Sequence, residues 1–448
     1  MKKKLLLINP IARFFDNKPF FLLNYIKNPL QPLNLAIIAA LTPEHWDIEI
    51  FDEISQPFTY READLVGITS YTGSAKRAYE IAAIYRSKSI PVVMGGIHAT
   101  LLPDEAQQFV DSVVTGEAEG IWGQVIADFE AGKLQKLYRG GMLPMEGAPF
   151  PRHDLLSHYT VGSVQTTRGC PKDCEFCSVK AINGKNYRQR PVEEILDEME
   201  RIPQKIIFFV DDNFIEKGRE GEERAMALFK GMIERKMKKY WCCQVSLNVA
   251  DNEELLHHAY KSGCRFVIIG IESENKVALE NMGKKINSNL VDRYDEIFKR
   301  LHKHKIGIMG SFIFGLDTDK PEDLHRRVRY IKKSRVDAVS PTILTPFPGT
   351  RLYKRLAESK RLLFTDYPKD WGRYDFSEVL FEPALMTPEE LKKNMIKCWR
   401  SLGNWGTLLA KFIKSTYYLR SLESGLIMMN INYCFRAQYY YETCKDKK

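Results

Sequence analysis

The chain of 448 residues is long enough for two or three domains with cores of their own, and its 44% hydrophobic and 27% charged content is that of a globular protein. No stretch approaches the roughly 20 consecutive apolar residues needed to cross a bilayer, which excludes a membrane-spanning helix. The formal charge of +9 is spread along the chain in short pieces, so it reads as solvated surface and no nucleic acid partner is expected.

The first residues, Met1-Lys2-Lys3-Lys4-Leu5-Leu6-Leu7-Ile8-Asn9-Pro10, look like a secretion signal only at a glance, because the apolar run is short and Asn-Pro interrupts it. The expectation is a cytoplasmic protein with its nine cysteines reduced. Up to about residue 130, short apolar strands at 4–8, 47–51, 65–69, 91–94 and 112–114 alternate with helical spacing at 33–41 and 75–86. Such a series makes a doubly wound, mostly parallel sheet that binds ligands beyond the strands' carboxyl ends. Two loops at those ends stand out. One is Gly95-Gly96-Ile97-His98-Ala99-Thr100 and the other Thr115-Gly116-Glu117, where paired glycines serve either a plain turn or the approach of a large flat ligand.

Residues 136–160 are dense in proline and glycine with little periodicity, which marks a linker after a first domain at 1–135. From residue 161 the alternation resumes. Strands are expected at 161–167, 205–211, 241–247, 265–271, 307–314 and 338–344, and helices at 192–201, 222–235, 253–261, 290–302 and 322–333. Six strand–helix units suggest a partial barrel, whose active groups gather at the strands' carboxyl ends. The residues just past the strands agree with that. The first strand leads into Cys170, Cys174 and Cys177, and the second into Asp211-Asp212-Asn213. The third carries Ser246 and Asn248, the fourth ends in Glu272-Ser273, and the fifth in Gly315-Leu316-Asp317.

The spacing Cys170-x3-Cys174-x2-Cys177 turns three thiols toward one point at a strand's end, and thiolates are the ligands of iron–sulfur clusters. A disulfide reading is poor for three close cysteines, and structural zinc wants a fourth near ligand; His153 and His158 upstream stay open for that role. With its aromatic Phe176 before the last cysteine, the motif resembles that of radical S-adenosylmethionine (SAM) enzymes. The resemblance implies a 4Fe-4S cluster on Cys170, Cys174 and Cys177, with the fourth iron chelated by SAM. Reductive cleavage then gives a 5′-deoxyadenosyl radical that takes hydrogen from an unactivated carbon. It further implies Phe176 beside the adenine, Asp211 and Asp212 at the SAM amino group, and Ser246, Asn248, Glu272 and Ser273 around the ribose and methionyl end.

The first domain resembles the cobalamin-binding domain that precedes the radical domain in one large subclass. Gly-Gly-x-His-Ala-Thr, Gly116-Glu117 and Gln31-Pro32-Leu33-Asn34-Leu35 carry that resemblance. It implies cobalamin contacts at Gly95, Gly96, His98, Thr100, Gly116 and Glu117. The Asp-x-His-x-x-Gly motif that supplies an axial histidine in other cobalamin proteins is absent.

Residues 161–350 would be the radical SAM barrel and 351–448 a helical C-terminal extension. Trp371-Gly372-Arg373-Tyr374-Asp375 and Pro383-Ala384-Leu385-Met386-Thr387 follow the order of a cobalamin-type subgroup. The tail beyond Trp399 mixes Trp, Tyr, Phe, Leu and Lys. It suits a lid over an apolar substrate, a peripheral membrane contact, or an amphipathic helix closing the barrel. Cys398, Cys434 and Cys444 lack compact spacing for a second cluster.

The expectation is cobalamin-dependent methylation of an unactivated carbon in a small-molecule or lipid substrate, with electrons from a partner such as flavodoxin or ferredoxin. Two other readings remain. One is a radical rearrangement, cyclisation or oxidation in which the first domain does not use cobalamin. The other is a non-catalytic sensor with a structural metal. Methylthiolation of tRNA is disfavoured, because the first 169 residues contain no cysteine for a second cluster.

Overall fold

A computed structural model describes residues 2–12, 31–216 and 218–445, the side chains of 440–445 aside. Its first sheet holds β1 (Lys3–Asn9), β2 (Trp46–Asp52), β3 (Leu65–Thr69), β4 (Val92–Gly95), β5 (Ser112–Thr115) and β6 (Leu137–Arg139), all parallel, in the order β2-β1-β3-β4-β5-β6. Leu5 to Ile8 are buried without alternation, as expected of a strand covered by helices on both faces. The order reverses between β1 and β3, so a crevice opens there beyond the carboxyl ends.

β6 falls inside the stretch expected to be linker. Three residues are too few to show a period in sequence, but Leu137, Tyr138 and Arg139 pair with β5 and complete the first sheet.

The second sheet contains β7 (Val161–Val164), β10 (Ile206–Phe209), β11 (Tyr240–Val245), β12 (Cys264–Glu272), β13 (Gly307–Phe314) and β14 (Ala338–Ile343), each parallel to the next. The expected strand 161–167 is broken. β7 stops at Val164, and β8 (Thr167–Arg168) pairs antiparallel with β9 (Arg188–Gln189) as a separate ribbon. Helices such as Val192–Arg201, Arg219–Glu234 and Pro321–Lys333 bury one face against this sheet, which gives the largest core cluster.

A partial barrel has two free edges, and unpaired edge amides are costly when covered. Both edges are met by side-chain amides. At β14 the Val339 N–H donates to Asn432 Oδ1 at 3.2 Å, while Asn432 Nδ2 donates to the Asp337 carbonyl at 2.8 Å. Trp399 Nε1 donates to the Pro341 carbonyl at 2.9 Å, at a residue that has no N–H to offer. At β7 the Ser163 N–H donates to Gln31 Oε1 at 2.9 Å, and Gln31 Nε2 donates to the Leu156 carbonyl at 3.2 Å. Asn432→Leu keeps the volume but leaves two buried backbone groups unpaired. It is expected to lower stability by about 1–3 kcal/mol, read as a shift in urea midpoint at unchanged slope.

The C-terminal region is helical, as expected, with one irregular interruption. Helices occupy Arg351–Glu358, Pro388–Gly403, Trp405–Leu419 and Leu422–Lys445, but the stretch between the first two is an irregular strap. Trp371, Tyr374 and Leu380 from this strap enter the core of the first domain with Ile8, Ile68 and Ala78. Trp371 Nε1 donates to Glu105 at 2.9 and 3.0 Å, and Tyr367 stacks on the Trp371 ring at 3.7 Å. The strap therefore ties the barrel to the first domain. Among the described residues no helix is long and apolar enough to cross a membrane.

Candidate active site

The loop after β8 brings Cys170, Cys174 and Cys177 to the wall of a cavity of about 180 Å³. Its other lining groups include Phe176, Lys172, Asp212, Ser246, Glu272, Lys284 and Asn287. The loop is held by the Cys170 N–H on the Gly184 carbonyl (3.2 Å) and the Glu175 N–H on the Met282 carbonyl (3.0 Å). Burial pushes the Cys177 thiol up to about 11 and raises that of Cys174, while the Lys284 ammonium pulls Cys174 the other way. Among the described residues no three His, Cys, Asp or Glu side chains converge to hold a single metal ion. A 4Fe-4S cluster binds each thiolate at a different iron, so three sulfurs spread around one cavity suit it better than zinc. The half-buried ammoniums of Lys172 and Lys284 would offset the charge of three thiolates. The donor set fits the cluster.

Glu272 ends β12 with φ +63, a strained conformation for a residue with a side chain. The register shifts between Gly270 and Glu272, and this kink turns the carboxylate toward Lys284, 2.9 Å from Nζ. A Cβ at Gly270 would collide with Glu272 Oε1 and lie 3.0 Å from Lys284 Nζ, so any side chain there would displace the ends of this ion pair. Lys284 Nζ also reaches the Gly270 carbonyl at 3.3 Å and lies 5.9 Å from the Phe176 ring. Burial opposes the charge on Lys284, but Glu272 and the nearby thiols outweigh it and hold the ammonium well above its ordinary range. Ser246 Oγ accepts from Lys172 Nζ and donates to Asn213 Oδ1 at 3.1 Å.

Three expected SAM contacts stand differently. Asp211 does not line the cavity. Its carboxylate accepts from the Thr166 and Thr167 N–H groups at 2.7 and 2.6 Å and from Thr166 Oγ1 at 2.9 Å. Burial pushes its pKa up to about 6 against those bonds. This is what breaks the strand at 165, and Asp212 alone of the pair faces the cavity. Ser273 is fully buried, with Oγ accepting from Arg327 Nη2 at 3.0 Å and from the Asn275 N–H at 3.0 Å, so it belongs to the packing behind the site. Asn248 sits outside the lining, yet its Oδ1 is buried with no partner. Asp211→Ala would strand two buried amides next to the cysteine loop, at a cost of about 3 kcal/mol. A lowered thermal midpoint with the thiols oxidising faster in air is the expected result.

A second cavity of about 570 Å³ fills the crevice at the β1/β3 reversal, between the first sheet and the barrel. Its floor is apolar, with Leu7, Gly67, Val93, Val114 and Trp122, and its mouth carries Ser70, Tyr71, Thr100, Glu119 and Arg168. An apolar recess under a polar rim fits a large flat cofactor with a tail. Gly95, Gly96, Thr100, Gly116 and Glu117 line it as expected. At Gly96 φ is +91 and a Cβ would lie 2.6 Å from Thr69 Oγ1, so only glycine closes this loop. The Gly116 N–H donates to Thr100 Oγ1 at 3.1 Å, joining the two loops.

His98 does not line the cavity. It is wholly buried on the helix Ile97–Leu101, with Nε2 3.1 Å from the Tyr79 hydroxyl and 3.2 Å from Glu105, and edge-on to Trp371. It packs the strap instead. Glu117 is spoken for as well, accepting from Arg188 Nη1 and the Leu143 N–H, each at 2.9 Å, with Arg168 Nη1 at 3.3 Å. Burial works against its charge, but Arg188, Leu143 and Arg168 keep its carboxyl below the ordinary range. Val179, Asp212 and Gln244 line both cavities, so the two share a wall.

Sequence reasoning missed Lys172, Lys284 and the Arg168–Glu117–Arg188 link. Lysines and arginines on loops read as surface, and only folding buries these. For Asp211 against Asp212 a signal existed. Along β10, Ile207 and Phe209 pack into the helix-covered core and Val210 lines a cavity, so strand alternation sends Asp211 outward to the helices and Asp212 inward.

Residues 164–331 match the family described as the Radical SAM superfamily, and residues 21–126 match the B12 binding domain. The bacteriochlorophyllide d C-12(1)-methyltransferase of Chlorobaculum tepidum is 33% identical over 85% of this chain and 84% of its own length. The hopanoid C-2 methylase of Rhodopseudomonas palustris is 28% identical over 75% of this chain and 66% of its own. Among solved structures, the radical SAM methyltransferase TsrM from Kitasatospora setae, with tryptophan and a SAM analogue bound, superposes with a TM-score of 0.67. It is 19% identical and covers 89% of each chain, a likeness of fold.

Proposed function

Because the chain belongs to the radical SAM superfamily, in the branch that carries a B12-binding domain, we propose that it methylates an unactivated carbon of an apolar small molecule in the cytoplasm. When bound, the 4Fe-4S cluster supplies the electron that opens SAM, and cobalamin carries the methyl group. The observation that carries this reading is the shared wall: one cavity lined by three cysteines adjoins another at the cobalamin-type crevice, through Asp212, Gln244 and Val179.

Each side chain has a role in that reading. Cys170, Cys174 and Cys177 would hold the cluster. SAM's methionyl end is a zwitterion, and Lys284 and Asp212 on the cavity wall offer it one group of each sign. Lys284 would take the carboxylate, and Asp212 the amino group. Phe176 would lie against adenine, and Ser246 would take the ribose hydroxyls. Gly95, Gly96, Thr100 and Gly116 would let cobalamin approach the backbone, over the apolar floor of the larger cavity. The link from Glu117 and Glu119 to Arg168, two residues before Cys170, holds the two cofactor loops in one register.

The relative's substrate makes a tetrapyrrole the first candidate to offer the enzyme, and a flavodoxin or ferredoxin the first electron donor. The test is anaerobic reconstitution with SAM labelled in its methyl group, reading iron, bound corrinoid, 5′-deoxyadenosine and labelled product. Corrinoid held in stoichiometric amount with label transferred to carbon supports methylation. Deoxyadenosine with no corrinoid retained would turn the reading to a radical reaction without methyl transfer. Absence of both cluster and SAM cleavage after good reconstitution would sink the enzyme reading.

A further inference from the structure

The helix Trp405–Leu419 is apolar on two sides. Its inner side, Leu408, Ser415 and Leu419, packs inward and holds the buried Lys411 ammonium on the Ile331 and Val336 carbonyls, at 3.3 and 2.5 Å. Its outer side carries Trp405, Leu409, Ile413 and Tyr417 at intervals of four residues, between 53% and 77% exposed. Leu422, at the start of the next helix, extends the stripe at 61%. A helix that is apolar all round is normally buried all round. The neighbouring helix Pro388–Gly403 obeys the ordinary rule, with Lys393, Lys397 and Arg400 exposed on its outer side. A contiguous run of large apolar side chains of this kind marks a surface that meets something.

Charge says what it meets. Residues 389–423 contain seven Lys or Arg, of which Lys411 points inward, and three Glu (Glu389, Glu390 and Glu423), so six cations face three carboxylates outside the core, a surplus of +3. The charge that looks evenly spread in sequence is thus unbalanced at this corner of the fold, with Arg400 just before Trp405 and Arg420 just after Tyr417. We propose that the outer face of this helix, with the start of the next, lies in the surface of an anionic lipid bilayer. At 15 residues it is too short to span. The helix would lie in the interface plane, Leu409 and Ile413 entering the acyl boundary and the basic residues meeting anionic headgroups. Trp405 and Tyr417, at the two ends of the stripe, suit headgroup depth. A second copy of the chain is a poorer occupant, because a two-fold contact would set these basic segments against each other. Such lipid binding is separate from methyl transfer and is read without turnover.

The test is co-sedimentation of the full-length protein with vesicles. One set is pure phosphatidylcholine and the other equal parts phosphatidylcholine and phosphatidylglycerol. The expected result is pelleting with the anionic vesicles, weakened by added salt. It is lost by on the order of 100-fold in Leu409→Asp/Ile413→Asp and weakened in Lys393→Glu/Lys397→Glu. All four positions are exposed, so the variants should keep wild-type elution and thermal midpoint, which are measured alongside. Three outcomes overturn the proposal: protein that stays in solution with anionic vesicles, equal binding to neutral ones, or aspartate variants that pellet like wild type. A change of oligomeric state in those variants without vesicle binding would assign the face to self-association and overturn it too.

Discussion

Replacing Lys284 with methionine is expected to cost the protein about 3–5 kcal/mol of stability, because it leaves the Glu272 carboxylate buried without its partner. Glu272 is 6% exposed, and the ammonium it loses sits 2.9 Å away. Against a typical domain stability of about 5–15 kcal/mol, that is a large fraction. SAM affinity should fall as well, by on the order of 10- to 100-fold for one charged hydrogen bond to the methionyl carboxylate. The two effects can be separated. In Glu272→Gln/Lys284→Met the uncompensated charge is gone, so urea unfolding should return most of the way to wild type while SAM binding stays weak. Calorimetric titration with SAM beside urea melts of the three proteins checks this. A single variant that melts and binds SAM like the wild type would remove the pair from the site.

The alternating strands and helices were legible because their apolar runs are dictated by burial, and burial has a period. Leu65–Thr69, Gly307–Phe314, Leu33–Leu41 and Val192–Arg201 fall at the residues the pattern marks. The cysteine loop was legible for a different reason, since cluster ligation needs a fixed spacing. What escaped has no local signal. β6 is too short to show a period, and its pairing comes from across the sheet. Gln31 and Asn432 are ordinary polar residues until the barrel's edges are in place. The resemblance implies His98 as a cobalamin contact, but Tyr79, Glu105 and Trp371 come from elsewhere in the chain to bury it. Lys284 lies 110 residues after Cys174 in sequence and on the same cavity in space.

The strap and the Glu117–Arg168–Arg188 link have one consequence in common: neither domain can move far without breaking buried polar contacts. Trp371 is 1% exposed, and the guanidinium of Arg168 reaches both Glu117 and Glu119 from the chain just before Cys170. In this conformation the two cavities already share a wall, through Val179, Asp212 and Gln244. Methylation asks for that, because two cofactors held on different domains must keep one register through the reaction.

Gly95→Leu is expected to reduce methyl transfer by more than about 100-fold while leaving SAM cleavage near the wild-type level, since it changes the larger cavity alone. β4 alternates, so Gly95 projects to the same face as Val93, which lines the cavity floor. A Cβ at Gly95 would lie 3.6 Å from the Val114 carbonyl oxygen, an ordinary contact, so the backbone accepts a side chain there. The rest of the leucine would then occupy the space where a flat cofactor must pass. A blocked site of this kind costs several kcal/mol of binding, and 1.4 kcal/mol is already tenfold. The neighbouring Gly96 gives the contrast: at φ +91, with Thr69 Oγ1 2.6 Å from a Cβ, Gly96→Ala should distort the loop and lower stability as well. Corrinoid content after reconstitution, by its visible absorption, and deoxyadenosine release read the two functions separately. Gly95→Leu protein that keeps full corrinoid would place the cofactor elsewhere. If it instead loses deoxyadenosine release along with corrinoid, the two cavities are coupled more tightly than a shared wall requires.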